Sequence, residues 1–211
     1  MTEKDADFAI ADAALGPDRQ GAYLPLANEF EELRSTTRQF FEGYLELVGL
    51  SPEGFVEHAP AVPLRPGLHQ LVAYCDSEDI GIHVVTEGLD VYLNPVLARV
   101  GLNGVPVSSN RALYDRETGR YEVLPGLDAE PCERCLSCKG AHVRRTQERG
   151  YRVALVGNGA SDLCGAREAD LVFARDILKK HCENEGINHL TWDGFEDVRR
   201  GLEARIQGSG M

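Results

Sequence analysis

Hydrophobic positions follow two regimes along this chain. Over the first 60 residues they recur at helical spacing. Asp5 to Leu15 (DADFAIADAAL) carries Phe8, Ile10, Ala11, Ala14 and Leu15 in such a pattern, and Gly16-Pro17 stops it. Leu26 to Leu33 predicts a second helix. Thr36 to Val48 predicts a third, with Phe40, Phe41, Tyr44, Leu45 and Val48 on one face and Gly49 at its end. Ser51 stands where it can cap a short helix beginning at Pro52, with Gly54 against it.

Near Ala59 the pattern changes. The segment APAVPLRPG holds three prolines and reads as a linker. Beyond it, short apolar runs alternate with helical stretches. Gly67 to Ser77 predicts a helix, Ile80 to Val85 (IGIHVV) a buried strand, Asp90 to Val100 a helix and Val105 to Ser108 a strand. Ala112 to Leu124 predicts a hairpin turning at Glu117-Thr118-Gly119. Next come a helix over Ser137 to Arg149, a strand over Tyr151 to Val156 (YRVALV), and a helix over Leu163 to Glu168. The chain ends with a strand over Leu171 to Ala174, a helix over Asp176 to Glu185, a last helix from Gly194 to Ile206, and a GSGM tail expected to fray. Such alternation predicts an α/β fold with a mostly parallel sheet and helices on both faces. The expected division is 1–60 as a helical segment and 61–211 as the core. Ligands of such sheets lie beyond the carboxyl ends of the strands, so the residues after IGIHVV and YRVALV hold the interest.

Composition narrows the picture. The 211 residues are 43% hydrophobic, enough for one domain or for a core with a smaller insertion. There are 22 basic and 34 acidic residues, a net charge of −12, and no Lys/Arg cluster of the kind that grips nucleic acid. Acid concentrates in residues 1–60, as expected of a solvated helical face. No apolar run is long enough to span a bilayer and the start carries no secretory pattern, so a cytoplasmic protein without membrane partners is expected. Of six cysteines, Cys132, Cys135 and Cys138 are spaced by two residues, while Cys75, Cys164 and Cys182 are scattered. That is not a secreted disulfide framework, and thiols are expected.

Three places could carry chemistry. Thr86-Glu87-Gly88 follows IGIHVV; a hydroxyl and free backbone N–H groups there would suit an anion, or else Thr86 serves only to cap the next helix. Gly157-Asn158-Gly159-Ala160-Ser161-Asp162 follows YRVALV; its glycines permit a sharp turn and close approach, and Asn158 and Asp162 offer oxygen to a hard cation, or the stretch is a turn with an N-cap. Lys139 opens a helix, where a lone lysine is usually solvated.

Their order resembles motifs II, III and IV of the haloacid dehalogenase superfamily. The stretch VALVGNGASDLCGAREADLVFARDILKKHCE is similar to the fourth-motif region of its phosphoserine-phosphatase-like group. It looks most like the methionine-salvage phosphatases that act on 2-hydroxy-3-keto-5-methylthiopentenyl-1-phosphate, as does the cysteine-containing approach to Lys139, CERCLSCKGAHV. The resemblance covers nearly the whole chain and implies a Rossmann-like core with residues 1–60 as a small helical cap. It implies a Mg²⁺-dependent phosphomonoester hydrolase in which an aspartate attacks phosphorus. Thr86, with the Glu87 and Gly88 N–H groups, would bind phosphoryl oxygens. Lys139 would pair with the nucleophile and the transferring group, and Asn158 and Asp162 would face the metal. The expected partner is a small phosphorylated metabolite, and a homodimer is compatible with this reading.

The chain departs from the family pattern twice. No D-x-D-x-T motif ends a strand before residue 60. Asp5-Ala6-Asp7 has the spacing, but it looks helical and no strand precedes it. MTEKD matches the residues just after that motif in relatives, so the nucleophile is expected upstream of Met1. Asn158 also stands where the family usually has its main metal-binding aspartate, and an amide should weaken Mg²⁺. These departures keep a rival open: a catalytically inactive relative that binds a phosphate ligand or another protein. The missing first strand would be central. The strands ending at Val85 and Val156 should therefore leave a gap, pair directly, or be completed by another chain. Lastly, Cys132, Cys135 and Cys138 with His142 form C-x₂-C-x₂-C-x₃-H, a set able to bind zinc; the family resemblance favours instead a plain loop leading to Lys139.

Overall fold

The computed structural model describes residues 2–63, 65–100 and 104–208. Leu64 of the proline segment and residues 209–211 of the tail lie outside them. The chain divides into two compact units, one built from 2–63 and 84–138, the other from 65–83 and 139–208.

The first unit opens with α1 (Ala6–Leu15), α2 (Leu24–Glu31), α3 (Thr37–Val48) and α4 (Pro52–His58). The Gly49 stop and the Ser51 cap expected from the sequence are formed, and a further cap joins them at Thr36. Thr36 and Gln39 make a reciprocal capping box at α3, and Gly49 closes it at φ +64°, a conformation glycine adopts freely. Ser51 accepts the Gly54 N–H at 3.3 Å. The helical spacing of α3 sends Phe40, Phe41, Tyr44, Leu45 and Val48 into one core. There they meet Ile10 of α1, Phe55 of α4, and Tyr92, Leu93 and Val96 of α6 (Asp90–Val100). Asp5-Ala6-Asp7 enters α1 and is no strand end.

The sheet of this unit runs β1 (Val84–Leu89), β2 (Val107–Asp115), β3 (Arg120–Leu124), with β1 and β2 parallel and β2 and β3 an antiparallel hairpin. The strand expected over Ile80–Val85 therefore begins later, at Val84. Its partner explains the shift, since β2 starts only at Val107 and the first ladder bond is Val84 N–H to Pro106 O. Thr86, Glu87 and Gly88 thus lie within the strand.

The second unit holds α5 (Leu68–Ser77), α7 (Lys139–Glu148), β4 (Ala154–Gly157), α8 (Leu163–Ala166), β5 (Leu171–Ala174), α9 (Asp176–Glu185), β6 (Leu190–Thr191) and α10 (Phe195–Gly208). The strands pair in parallel in the order β4-β5-β6. β4 is shorter than YRVALV because the four residues of β5 pair one to one with Ala154–Gly157. β6 escaped the sequence reading; two exposed residues give no periodicity. Val172, Phe173, Leu178, Trp192, Phe195 and Val198 form the buried interior.

Among the described residues β1 and β4 belong to different sheets. Each is the edge strand of its own sheet, and Ala154 and Val156 of β4 are exposed. Among the described residues no helix is long and apolar enough to cross a membrane.

Candidate functional site

Lys139 and Asp162 come together in the second unit. Lys139 is the first residue of α7, and Asp162 follows the turn after β4. Lys139 Nζ lies 2.6 Å from Asp162 Oδ1, and both side chains are buried. The ammonium also donates to Ser161 Oγ at 3.1 Å. Asp162 Oδ2 accepts two backbone N–H groups, Asn158 at 2.8 Å and Gly159 at 3.0 Å. Burial alone would push this carboxyl up. The charge and hydrogen bond of Lys139, with the two N–H donors, outweigh it and hold the pKa below the ordinary carboxylate value.

The glycines make this approach possible. A Cβ on Gly157 would stand 2.6 Å from Asp162 Cγ, and one on Gly165 would press on Lys139 Cβ at 3.1 Å. Strand β4 fixes the turn, since Trp192 Nε1 donates to Gly157 O at 3.1 Å and the Leu178 N–H to Asn158 O at 3.0 Å.

Thr86, Glu87 and Gly88 belong to the first unit. The β1–β2 register breaks there: Val85 pairs with Ser108 and Leu89 with Asn110, so β1 spends four steps where β2 spends two. Such bulges free backbone from the ladder and recur next to active sites. Thr86 Oγ1 accepts the Gly88 N–H at 3.0 Å, so this N–H, expected to face a ligand, is satisfied locally. Glu87 turns its carboxylate inward. It accepts the N–H groups of Leu136 at 3.1 Å and Ser137 at 3.0 Å and the Asn110 amide at 3.2 Å. Sequence reasoning missed this network, and neither Asn110 nor Ser137 carries a motif that would disclose it.

His142 lies on α7, and Arg145 donates to its Nδ1 at 2.9 Å. Cys132, Cys135 and Cys138 lie in the irregular segment before α7.

A family model described as haloacid dehalogenase-like hydrolase matches residues 2–167. The 2-hydroxy-3-keto-5-methylthiopentenyl-1-phosphate phosphatase of Brevibacillus brevis is 29% identical over 210 residues, covering 96% of this chain and 90% of that protein. The protein of the same name from Bacillus velezensis is 25% identical, covering 77% and 71%. Among solved structures, a phosphoserine phosphatase described as a phospho-aspartyl intermediate analogue superposes with a TM-score of 0.71 at 20% identity, covering 96% of this chain and 92% of that one.

Proposed function

The chain belongs to the haloacid dehalogenase-like hydrolases, and on that premise we propose that it is a phosphatase of a small phosphorylated metabolite in methionine salvage. The observation that carries this is the buried Lys139–Asp162 pair at the start of α7 and the turn after β4, where the family resemblance puts motifs III and IV. The match to two phosphatases of one name, over 96% and 77% of this chain, supports the substrate class.

In this reading an aspartate carboxylate attacks phosphorus and the ester P–O bond breaks. The alcohol leaves with a proton from a general acid. Water then cleaves the aspartyl phosphate to free aspartate and inorganic phosphate. Lys139 supplies positive charge against the transferring phosphoryl, and Asp162 orients it. Thr86 donates from its hydroxyl to a phosphoryl oxygen while the same oxygen goes on accepting the Gly88 N–H. Residues 1–60 serve as the cap that selects substrate. No D-x-D-x-T stands in the 211 residues at a strand end, so the reading assigns the nucleophile to sequence preceding Met1.

Mg²⁺ is the cofactor the family implies, and Asn158 and Asp162 are the residues that would hold it. Alone they do not fit. Asn158 is neutral, and both Asp162 oxygens are engaged, one by a lysine ammonium that cancels its charge. A hard dication needs at least one further carboxylate here. The same observation favours the second reading, a non-catalytic relative that binds a phosphate ligand or another protein.

Phosphate release from an aryl phosphate with Mg²⁺ separates the two, measured on these 211 residues and on a chain extended by in-frame upstream codons. Activity confined to the extended chain supports the phosphatase. Inactivity of both, or no D-x-D-x-T in the upstream codons, sinks it in favour of the binding protein.

A further inference from the structure

Residues 125–138, between β3 and α7, form neither helix nor strand. Stretches of this length without regular structure are uncommon in compact domains and usually have a task. Its end is nevertheless well buried, with Cys135, Leu136, Ser137 and Cys138 all withdrawn from solvent. Polar groups in an irregular buried segment need partners, and the Glu87 carboxylate serves two of its N–H groups, those of Leu136 and Ser137.

Three sulfurs converge in the same segment. The Sγ atoms of Cys132, Cys135 and Cys138 all lie within 4.8 Å of one another. The backbone folds to bring them there. The Cys132 N–H donates to Cys135 O at 2.9 Å, and the Cys135 N–H donates back to Cys132 Sγ at 3.4 Å. The Cys138 N–H donates to Glu130 O at 3.2 Å, closing the second turn. All six cysteines are present as thiols, and a disulfide could in any case join only two of these three. Sulfurs around a tetrahedral zinc, with Zn–S of about 2.3 Å, stand roughly 3.8 Å apart, so a small inward shift completes the geometry.

We propose that Cys132, Cys135 and Cys138 are three ligands of a structural zinc ion that fixes the 125–138 segment. Soft thiolates in a tetrahedral arrangement select zinc among the common divalent ions. His142 is not the fourth ligand. A guanidinium can only donate, so Arg145 makes His142 Nδ1 the acceptor and leaves the proton of the neutral ring on Nε2, with no lone pair to offer a metal. The fourth position is filled from outside the C-x₂-C-x₂-C run and not by this imidazole.

The test is metal analysis of the full chain, purified reduced and without chelator. We expect about one zinc per chain, the stoichiometry of a mononuclear site. Cys132 is exposed, so Cys132→Ser leaves the core intact; it should lower retained zinc by tenfold or more while circular dichroism is unchanged. Cobalt substituted into the wild type should show thiolate charge-transfer absorption and intense tetrahedral bands, both weakened in Cys132→Ser. His142→Ala should keep its zinc. Metal-free wild type that takes up no cobalt, undiminished zinc in Cys132→Ser, or zinc lost from His142→Ala would each overturn the proposal. So would an iron–sulfur chromophore in place of zinc.

Discussion

Lys139 Nζ sits 2.6 Å from Asp162 Oδ1 with the two side chains only 10% and 9% exposed. Desolvating both charges is expensive, and the pair persists because the other oxygen of Asp162 is satisfied by two backbone N–H groups. Removing one partner strands a buried charge. Lys139→Ala and Asp162→Ala should each cost about 3–5 kcal/mol. The double variant Lys139→Met/Asp162→Leu should lose clearly less than the sum. Urea midpoints of the four proteins check this; additive losses would mean that the pair is not coupled.

The same pair sets an acid limit. The Asp162 pKa is lowered in the folded chain, so its stabilisation is fully present above the unfolded value of about 4 and is lost as pH falls through the folded one. Wild type should therefore lose stability below about pH 4 more steeply than Asp162→Asn, which has no carboxylate to protonate. Equal acid slopes in urea titrations would refute this.

Much of this arrangement was legible in the sequence, and for identifiable reasons. Helices α1, α3 and α9 appear almost residue for residue, because each runs into a sharp local stop, at Gly16, Gly49 and Gly186; of α4 only the start, at the Ser51 cap, was readable. The turn after β4 was legible because its glycines and acid cluster in sequence. Strand ends were not, since a ladder is as long as its partner allows, and the partner of Val84 lies at Val107. The inward turn of Glu87 was also hidden. Its acceptor role depends on Asn110, Leu136 and Ser137, which are distant in sequence and met only through folding.

Gly157 should not tolerate a methyl group. A Cβ there would lie 2.6 to 2.7 Å from the side chain of Asp162, which is itself held by three donors and cannot swing away cheaply. Gly157→Ala should cost roughly 1–3 kcal/mol, the usual penalty of overpacking. Gly159→Ala, with open space at the Cβ, should be nearly neutral. Thermal denaturation of the pair decides it, and equal melting temperatures would show that Asp162 is free to move.

Asp7 predicts the opposite pH behaviour to Asp162. Burial, with Asp5 nearby, pushes its pKa up to about 7 within α1. A carboxyl raised in the folded state costs nothing below the unfolded pKa of about 4. It destabilises progressively as pH rises from there through 7. Asp7→Asn should therefore match wild type near pH 4 and exceed its stability by roughly 1–3 kcal/mol at pH 8. Only the backbone carbonyl of Asp7 accepts the Tyr44 hydroxyl, so that bond survives the substitution. A stability difference that does not change between pH 4 and 8 would contradict the shifted pKa.

Glu87 carries the last prediction. Its buried carboxylate accepts two N–H groups of the segment approaching α7 and the amide of Asn110, and Ser137 Oγ donates to Asn110 Oδ1 at 2.6 Å to close the circuit. Members of such a network depend on one another, because each donor left over is buried. Glu87→Ala takes the acceptor from the Leu136 and Ser137 N–H groups, while the Asn110 amide keeps its 2.7 Å bond to the Glu87 carbonyl, and should destabilise by roughly 2–4 kcal/mol. Glu87→Gln should also be harmful, since its NH₂ group must then face an N–H. Hydrogen exchange at Leu136 and Ser137 should accelerate in both variants while exchange in the core of α3 keeps its wild-type order. If Glu87 instead served only through its backbone N–H toward a ligand, both variants would keep wild-type stability and exchange.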